Sequence, residues 1–140
     1  MKIKSWLWLK YFIYMLIIII AIVVGEQILK DIESNIALNF NFCLINIVMI
    51  IFYGGIGFLL GLENLMNEFK KEGSWVINLP KILWMGIPSL YFSSSLFISY
   101  SIPNILSYPV GILFNNGTIF MVLFQLILGY TITTSFYKEG

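Results

Sequence analysis

The sequence predicts an all-α polytopic membrane protein, a bundle of four transmembrane helices with a short cytoplasmic amphipathic helix between the second and third. Three observations predict it. The chain is 59% hydrophobic and only 11% charged, against roughly 45–50% and about 25% in ordinary soluble domains. Its mean hydropathy of +0.91 is gathered into four separate runs, each long enough for the ~20 apolar residues that a helix needs to cross the hydrocarbon. The charged residues, finally, cluster between those runs or near their ends and leave the middle of each run free. One integral membrane domain over residues 1–140 is expected.

The first span is read from about Trp6 to Leu29, with an unbroken apolar or aromatic stretch from Tyr11 to Gly25 and Lys10 close enough to the end to snorkel. Lys2 and Lys4 ahead of this run also suit the start of a secretory signal. The stretch is long for a signal, however, and Ile22-Val23-Val24-Gly25-Glu26 offers no small-x-small cleavage site, so an uncleaved helix is the reading adopted. Asp31 to Asn41 is then a polar connector. The second span covers about Phe42 to Leu62, the third Ile82 to Tyr100 and the fourth Gly117 to Phe136.

Between the second and third spans, Leu62, Leu65, Met66 and Phe69 recur at helical spacing opposite Glu63, Asn64, Asn67, Glu68 and Lys71. Such a stripe predicts a short helix anchored on the inner membrane surface, with Gly73 as its stop. Ser74 to Asn78 is extended in character, and Pro80 suits the first turn of the third helix. On the other side, Ser101 to Asn116 is uncharged, contains Pro103, Pro109 and the apolar run Val110 to Phe114, and is read as lying on the outer surface or dipping back into the bilayer.

Orientation follows from lysine. Lys2, Lys4, Lys10, Lys70, Lys71, Lys81 and Lys138 fall on one side and only Lys30 on the other, which puts both termini in the cytoplasm, because short cytoplasmic loops keep positive charge. Trp6, Trp8, Trp75 and Trp84 fall at the same inner interface, where an amphipathic ring straddles headgroup and hydrocarbon. The absence of Arg beside heavy use of Ile, Asn, Lys, Phe and Tyr reads as the codon bias of an AT-rich, bacterial genome, and the location expected is the cell membrane. With a net charge of +1, nucleic acid is not an expected partner.

Chemistry-bearing residues are sparse. There is no His, and Cys43 stands alone, so no catalytic residue, metal site or cofactor is expected. Glu26 is the one candidate proton or cation site, but it sits at the outer end of the first span, where headgroups account for it. Asn46, Ser93, Ser95 and Gln125 fall at depth and should face other helices, because an unpaired amide in hydrocarbon costs several kcal/mol. They are candidates for one intramembrane polar network. Gly54, Gly57 and Gly61 share a face of the second helix, and Ala21 with Gly25 and Gly129 with Thr133 offer further small faces on the first and fourth. All are candidates for close helix packing, within the bundle or between protomers. Pro88 should bend the third span and strip the Trp84 carbonyl of its usual donor, a role open to Ser89.

The expectation is therefore a small non-enzymatic membrane protein, an accessory, assembly or regulatory subunit that meets the lipid bilayer and, through its glycine faces, a second copy or a larger membrane protein. The alternative is a small transporter or holin-like pore using the polar residues of the bundle interior.

Overall fold

A computed structural model describes residues 2–37, 42–101, 111 and 119–140. Among them the chain is mostly helical. Helix α1 is Lys2–Ala37 and α2 is Phe42–Phe69. Strand β1 is Ser74–Ile77. Helix α3 starts as Leu79–Lys81, passes through a π-helical turn at Ile82–Gly86 and continues as Ile87–Ser93. Helix α4 is Ser95–Ser101, α5 is Ile119–Thr134, and β2 is Phe136–Glu139. Two helices are long and apolar enough to cross a membrane, over Trp6–Ile32 and Cys43–Phe69. The expected outer segment from Ser101 to Asn116 and the first residues of the fourth span lie, apart from residues 101 and 111, outside the described residues, as does the end of the connector at 38–41.

Both long helices outrun their expected spans. At 36 residues, α1 is about 54 Å long at 1.5 Å per residue, and it takes in Asp31 to Ala37, which the sequence assigned to a connector. No separate amphipathic helix follows the second span. Leu62, Leu65, Met66 and Phe69 are the last turns of α2 itself. Nothing from Gly61 to Phe69 breaks a helix, and extending an existing helix costs far less than nucleating a new one.

The third segment is divided, not a single rod. Its π-helical turn, in which the Ile87 N–H reaches back to the Ile82 carbonyl, comes directly before Pro88. The Ser89 hydroxyl donates to the Met85 carbonyl at 2.5 Å, so it does not serve Trp84 as the sequence suggested. At Ser94 the backbone leaves the helix, with φ −89° and ψ 18°. Three consecutive serines explain the break, because their hydroxyls compete for backbone carbonyls; that of Ser93 donates to Leu90 at 2.9 Å.

Ser74 to Asn78, expected to be extended, supplies a strand whose partner was not expected: β1 and β2 pair antiparallel, with Ser74 opposite Glu139, Trp75 opposite Lys138, Val76 opposite Tyr137 and Ile77 opposite Phe136. Phe136 therefore belongs to a strand and not to the fourth span. Gly73 makes the turn into β1 at φ +132°, where a Cβ would stand 2.6 Å from the Glu139 carbonyl oxygen. Only glycine fits both demands.

The most extensive contact in the fold is between α2 and α5. It is parallel. A Cβ on Gly57 would lie 2.0 Å from the Leu126 oxygen, one on Gly129 1.9 Å from the Gly54 oxygen, and one on Gly61 1.9 Å from Thr133 Oγ1. Helices this close touch backbone to backbone, the use to which small-residue faces are put. Helix α3 runs antiparallel to α5, with Phe92 stacked on Phe124 at 4.7 Å.

Helix α1 lies antiparallel along α2. Its inward positions, Lys10, Tyr14, Ile18, Ala21, Gly25, Leu29 and Ile32, form one helical stripe, with Gly25 under the Phe52 ring. Lys10 pairs with Glu63 at 3.0 Å, the Tyr11 hydroxyl donates to the same carboxylate oxygen at 3.0 Å, and the Tyr14 hydroxyl donates to the Leu59 carbonyl.

Gly57→Ala should therefore destabilise the protein by about 1–3 kcal/mol, the usual range for forcing extra atoms into a packed contact. Gly55→Ala, at a site with nothing within 4 Å, should change stability by less than about 1 kcal/mol. Thermal unfolding of the two variants in the same detergent checks the contrast.

Candidate functional site: a polar seam and a staple at its end

The interior is polar where the outside is apolar. Among the described residues the buried hydrophobic side chains are Ile18, Ile56, Ile98 and Met121, whereas Asn46, Glu68, Ser89, Ser93, Ser95, Gln125, Thr131, Thr133, Thr134 and Ser135 are all buried. Large apolar side chains face outward in number, Trp84 82% and Ile51 70% exposed among them. This inverts the usual order of a protein folded in water.

Most of the buried hydroxyls are satisfied by their own helix. Thr133 donates to the Gly129 and Tyr130 carbonyls at 3.2 and 3.0 Å, Thr134 to Tyr130 at 2.7 Å and Ser135 to Thr131 at 2.5 Å. Such back-bonding lets a hydroxyl sit at a helix contact without a partner across it.

Of the four residues expected to form a polar network, Gln125 and Ser93 meet. The Gln125 side-chain amide donates to the Ser93 carbonyl oxygen at 3.3 Å, across from the break at Ser94. Ser95 is buried just beyond that break. Asn46 shares the glycine face of α2 but lies eight residues before Gly54, hence about 12 Å along the helix axis at 1.5 Å per residue. Asn46 Oδ1, Ser95 Oγ, Gln125 Oε1 and Thr131 Oγ1 are buried and have no hydrogen-bond partner among the described residues. Each carries a desolvation cost of about 1–3 kcal/mol if nothing donates to it.

The packing glycines are accounted for within this chain. Gly54, Gly57 and Gly61 meet α5, and Gly129 meets α2. Glu26 is exposed and borders a cavity of about 110 Å3 that Leu29, Lys30, Ile45, Met49 and Tyr53 also line. Among the described residues no cluster of three or more His, Cys, Asp or Glu side chains could hold a metal ion.

At the other end of the bundle lies a staple that sequence reasoning missed. Glu68 accepts the Lys138 backbone N–H at 3.0 Å through one oxygen and pairs with Lys71 at 2.5 Å through the other. The Lys138 ammonium donates to the Lys71 and Phe69 carbonyls at 2.8 and 3.3 Å, closing the C-terminal end of α2. Lys81 does the same for α5, donating to Thr134 Oγ1 at 2.6 Å and the Thr134 carbonyl at 3.3 Å. Cations at helix C-termini are favoured because the last carbonyls are unpaired and carry the negative end of the dipole. Asn78 ties the two halves: its N–H donates to the Ser135 carbonyl at 2.8 Å and its side chain caps α3 by accepting the Lys81 N–H at 3.2 Å. The lysines were legible as a charge bias; which carbonyls they would meet was not.

The chain matches no protein-family model. No curated protein and no solved structure matches it either. What the protein does must therefore be argued from its own geometry.

Glu68→Ala should free the end of the chain from α2. Hydrogen exchange is expected to show lost amide protection at 74–77 and 136–139 with protection of α5 retained, whereas Glu68→Gln, which keeps an acceptor for the Lys138 N–H, should hold most of the ribbon's protection. Equal loss in both variants would mean that charge, not the acceptor, holds the staple.

Proposed function

We propose that this chain is a small non-enzymatic membrane protein with four spans and cytoplasmic termini in the cell membrane, acting as an accessory, assembly or regulatory subunit of a membrane complex. The inverted burial supports the membrane setting, since polar groups gain most by turning inward when the surroundings are hydrocarbon. The four-span arrangement draws support from the parallel contact of α2 and α5. If α2 crosses the bilayer, α5 crosses in the same sense, and the chain between them must cross back. Lys81, Lys138, Trp75 and Trp84, together with Trp6 and Trp8 near Lys10, gather at the end of the bundle where α2 and α5 terminate, which agrees with a cytoplasmic face there.

The observation that carries the subunit role is the bareness of α1. Its single inward stripe rests on α2, and the rest of its girdle is open, with Phe12 62%, Ile20 59% and Val23 53% exposed. The glycine faces that would otherwise invite a partner are already spent inside the chain. A partner helix then has the open side of α1 to dock on, or the α1–α2 groove of about 630 Å3 whose small residues are Ala21, Gly25 and Gly55.

A second reading, a small transporter or pore, is favoured by one observation: the unpartnered Gln125 and Ser95 oxygens beside the broken helix, where a passing polar species would find acceptors. The two readings part in one experiment. Tagged protein carrying a photo-crosslinking residue at Phe12 should, under the subunit reading, be purified in mild detergent with a stoichiometric foreign membrane protein attached at that position. A lone protomer or homo-oligomer that passes solutes in liposomes, with the flux altered by Gln125→Leu, would replace that reading with the pore.

A further inference from the structure

The β1–β2 ribbon is amphipathic. Paired residues of an antiparallel ribbon project to the same side and neighbours along each strand to opposite sides. The register therefore puts Trp75, Ile77, Phe136 and Lys138 on one face and Ser74, Val76, Tyr137 and Glu139 on the other. The first face is apolar and only half covered, with Trp75 43%, Ile77 48% and Phe136 37% exposed. Phe69, 62% exposed, extends it by an edge-on contact with Trp75 at 4.9 Å. Its charged member, Lys138, folds back over the Trp75 ring at 5.2 Å.

This face is continuous with the outer surface of the bundle. Phe136 also closes the cytoplasmic end of a groove of about 260 Å3 between α3 and α5, lined by Ile87, Leu90, Leu128 and Ile132, and the same end of α3 exposes Leu83 and Trp84. Lipid that covers this surface reaches the ribbon without meeting a polar boundary. We propose that the ribbon is a membrane-surface anchor, which lays Trp75, Ile77 and Phe136 into the headgroup zone of the cytoplasmic leaflet and so ties the α2–α3 connection and the end of the chain to one depth. The chemistry is that of an interfacial amphipathic helix, an apolar face with aromatic rings and a lysine at its rim. The proposal rests on the membrane reading above, but can fail while that reading stands.

Single-tryptophan proteins test it. One retains Trp75 and the other Trp84, with the remaining tryptophans replaced by Phe, and both are reconstituted in phosphatidylcholine–phosphatidylglycerol vesicles carrying lipids brominated near the headgroup end of the acyl chain. The expected result is quenching of Trp75 within about twofold of that of Trp84, as for rings in one interfacial belt, with Trp75 shielded from iodide in the aqueous phase. If brominated lipid quenches Trp84 while iodide alone quenches Trp75, the ribbon stands in water and the anchor is overturned. Trp75 shielded from both quenchers overturns it as well, because the face is then covered by protein. Failure of brominated lipid to quench Trp84 overturns the membrane reading itself. Ile77→Glu, exposed and outside the staple, should reduce lipid quenching of Trp75 and leave that of Trp84 unchanged.

Discussion

Where Gly129 passes Gly54 and Phe58, and Gly57 passes Leu126, the backbones of α2 and α5 meet with no side chain between them. A Cβ at any of these glycines would fall inside van der Waals contact of a neighbouring backbone, except at Gly54, where the nearest such atom is 3.7 Å away. Backbone atoms cannot turn aside as a side chain can, so the approach is set by glycine alone. Much else follows from it. Parallel neighbours cannot be joined by a tight turn, so the chain between them has to run back, and α3 does so along α5. The same closeness brings the C-terminal ends of α2 and α5 side by side. Lys138 and Lys81 close those ends, and the β1–β2 ribbon ties their continuations together.

The polar seam depends on the same geometry. With the helices at backbone contact, only small side chains fit between them, and Ser and Thr serve because their hydroxyls bond back to their own helix. Gln125 is the exception by size. Its amide spans to the Ser93 carbonyl, which lies at the end of α3 next to the only non-helical residue between α3 and α4, Ser94. Its own Oε1 and the Ser95 hydroxyl beyond the break lack hydrogen-bond partners among the described residues. The lower end, by contrast, is densely hydrogen-bonded through Glu68, Asn78, Lys81 and Lys138. Among the described residues of the packed bundle, local opening should cost less at the Ser93–Ser95 break than at the stapled end.

How much of this the sequence carried depends on the range of the interaction. Composition and hydropathy located the apolar helices, because those are properties of a run of residues. Glycine spacing marked a close-packing face on α2, yet spacing is silent on what meets the face, and the partner turned out to be this chain's own α5. The helix ends were misplaced for a local reason: no residue from Gly61 to Phe69, or from Asp31 to Ala37, stops a helix, and polarity alone does not. Ser93-Ser94-Ser95 carried the break in plain sight, but serines also pass unnoticed through helices by back-bonding, as Ser89 does. Ser74 to Asn78 was legible as an extended piece, but its pairing was not, because each strand has four residues and gains its partner some sixty positions away in sequence. Glu68 reads in the sequence as one member of the polar face opposite an apolar stripe, whereas its role comes from the Lys138 N–H, which only the tertiary fold supplies.

The claim that α2 and α5 are parallel and in contact within one chain is tested most directly by paired cysteines in a Cys43→Ser background. A Cβ at Gly61 would stand 2.8 Å from that of Thr133, near enough for a disulfide after a small shift, since bridged Cβ atoms lie about 3.5–4.5 Å apart. Gly61→Cys with Thr133→Cys should form an intrachain disulfide on mild oxidation, whereas Gly61→Cys with Met121→Cys should not. Efficient closure of the second pair, or disulfides formed only between chains, would contradict the parallel internal contact on which the rest of the fold is built.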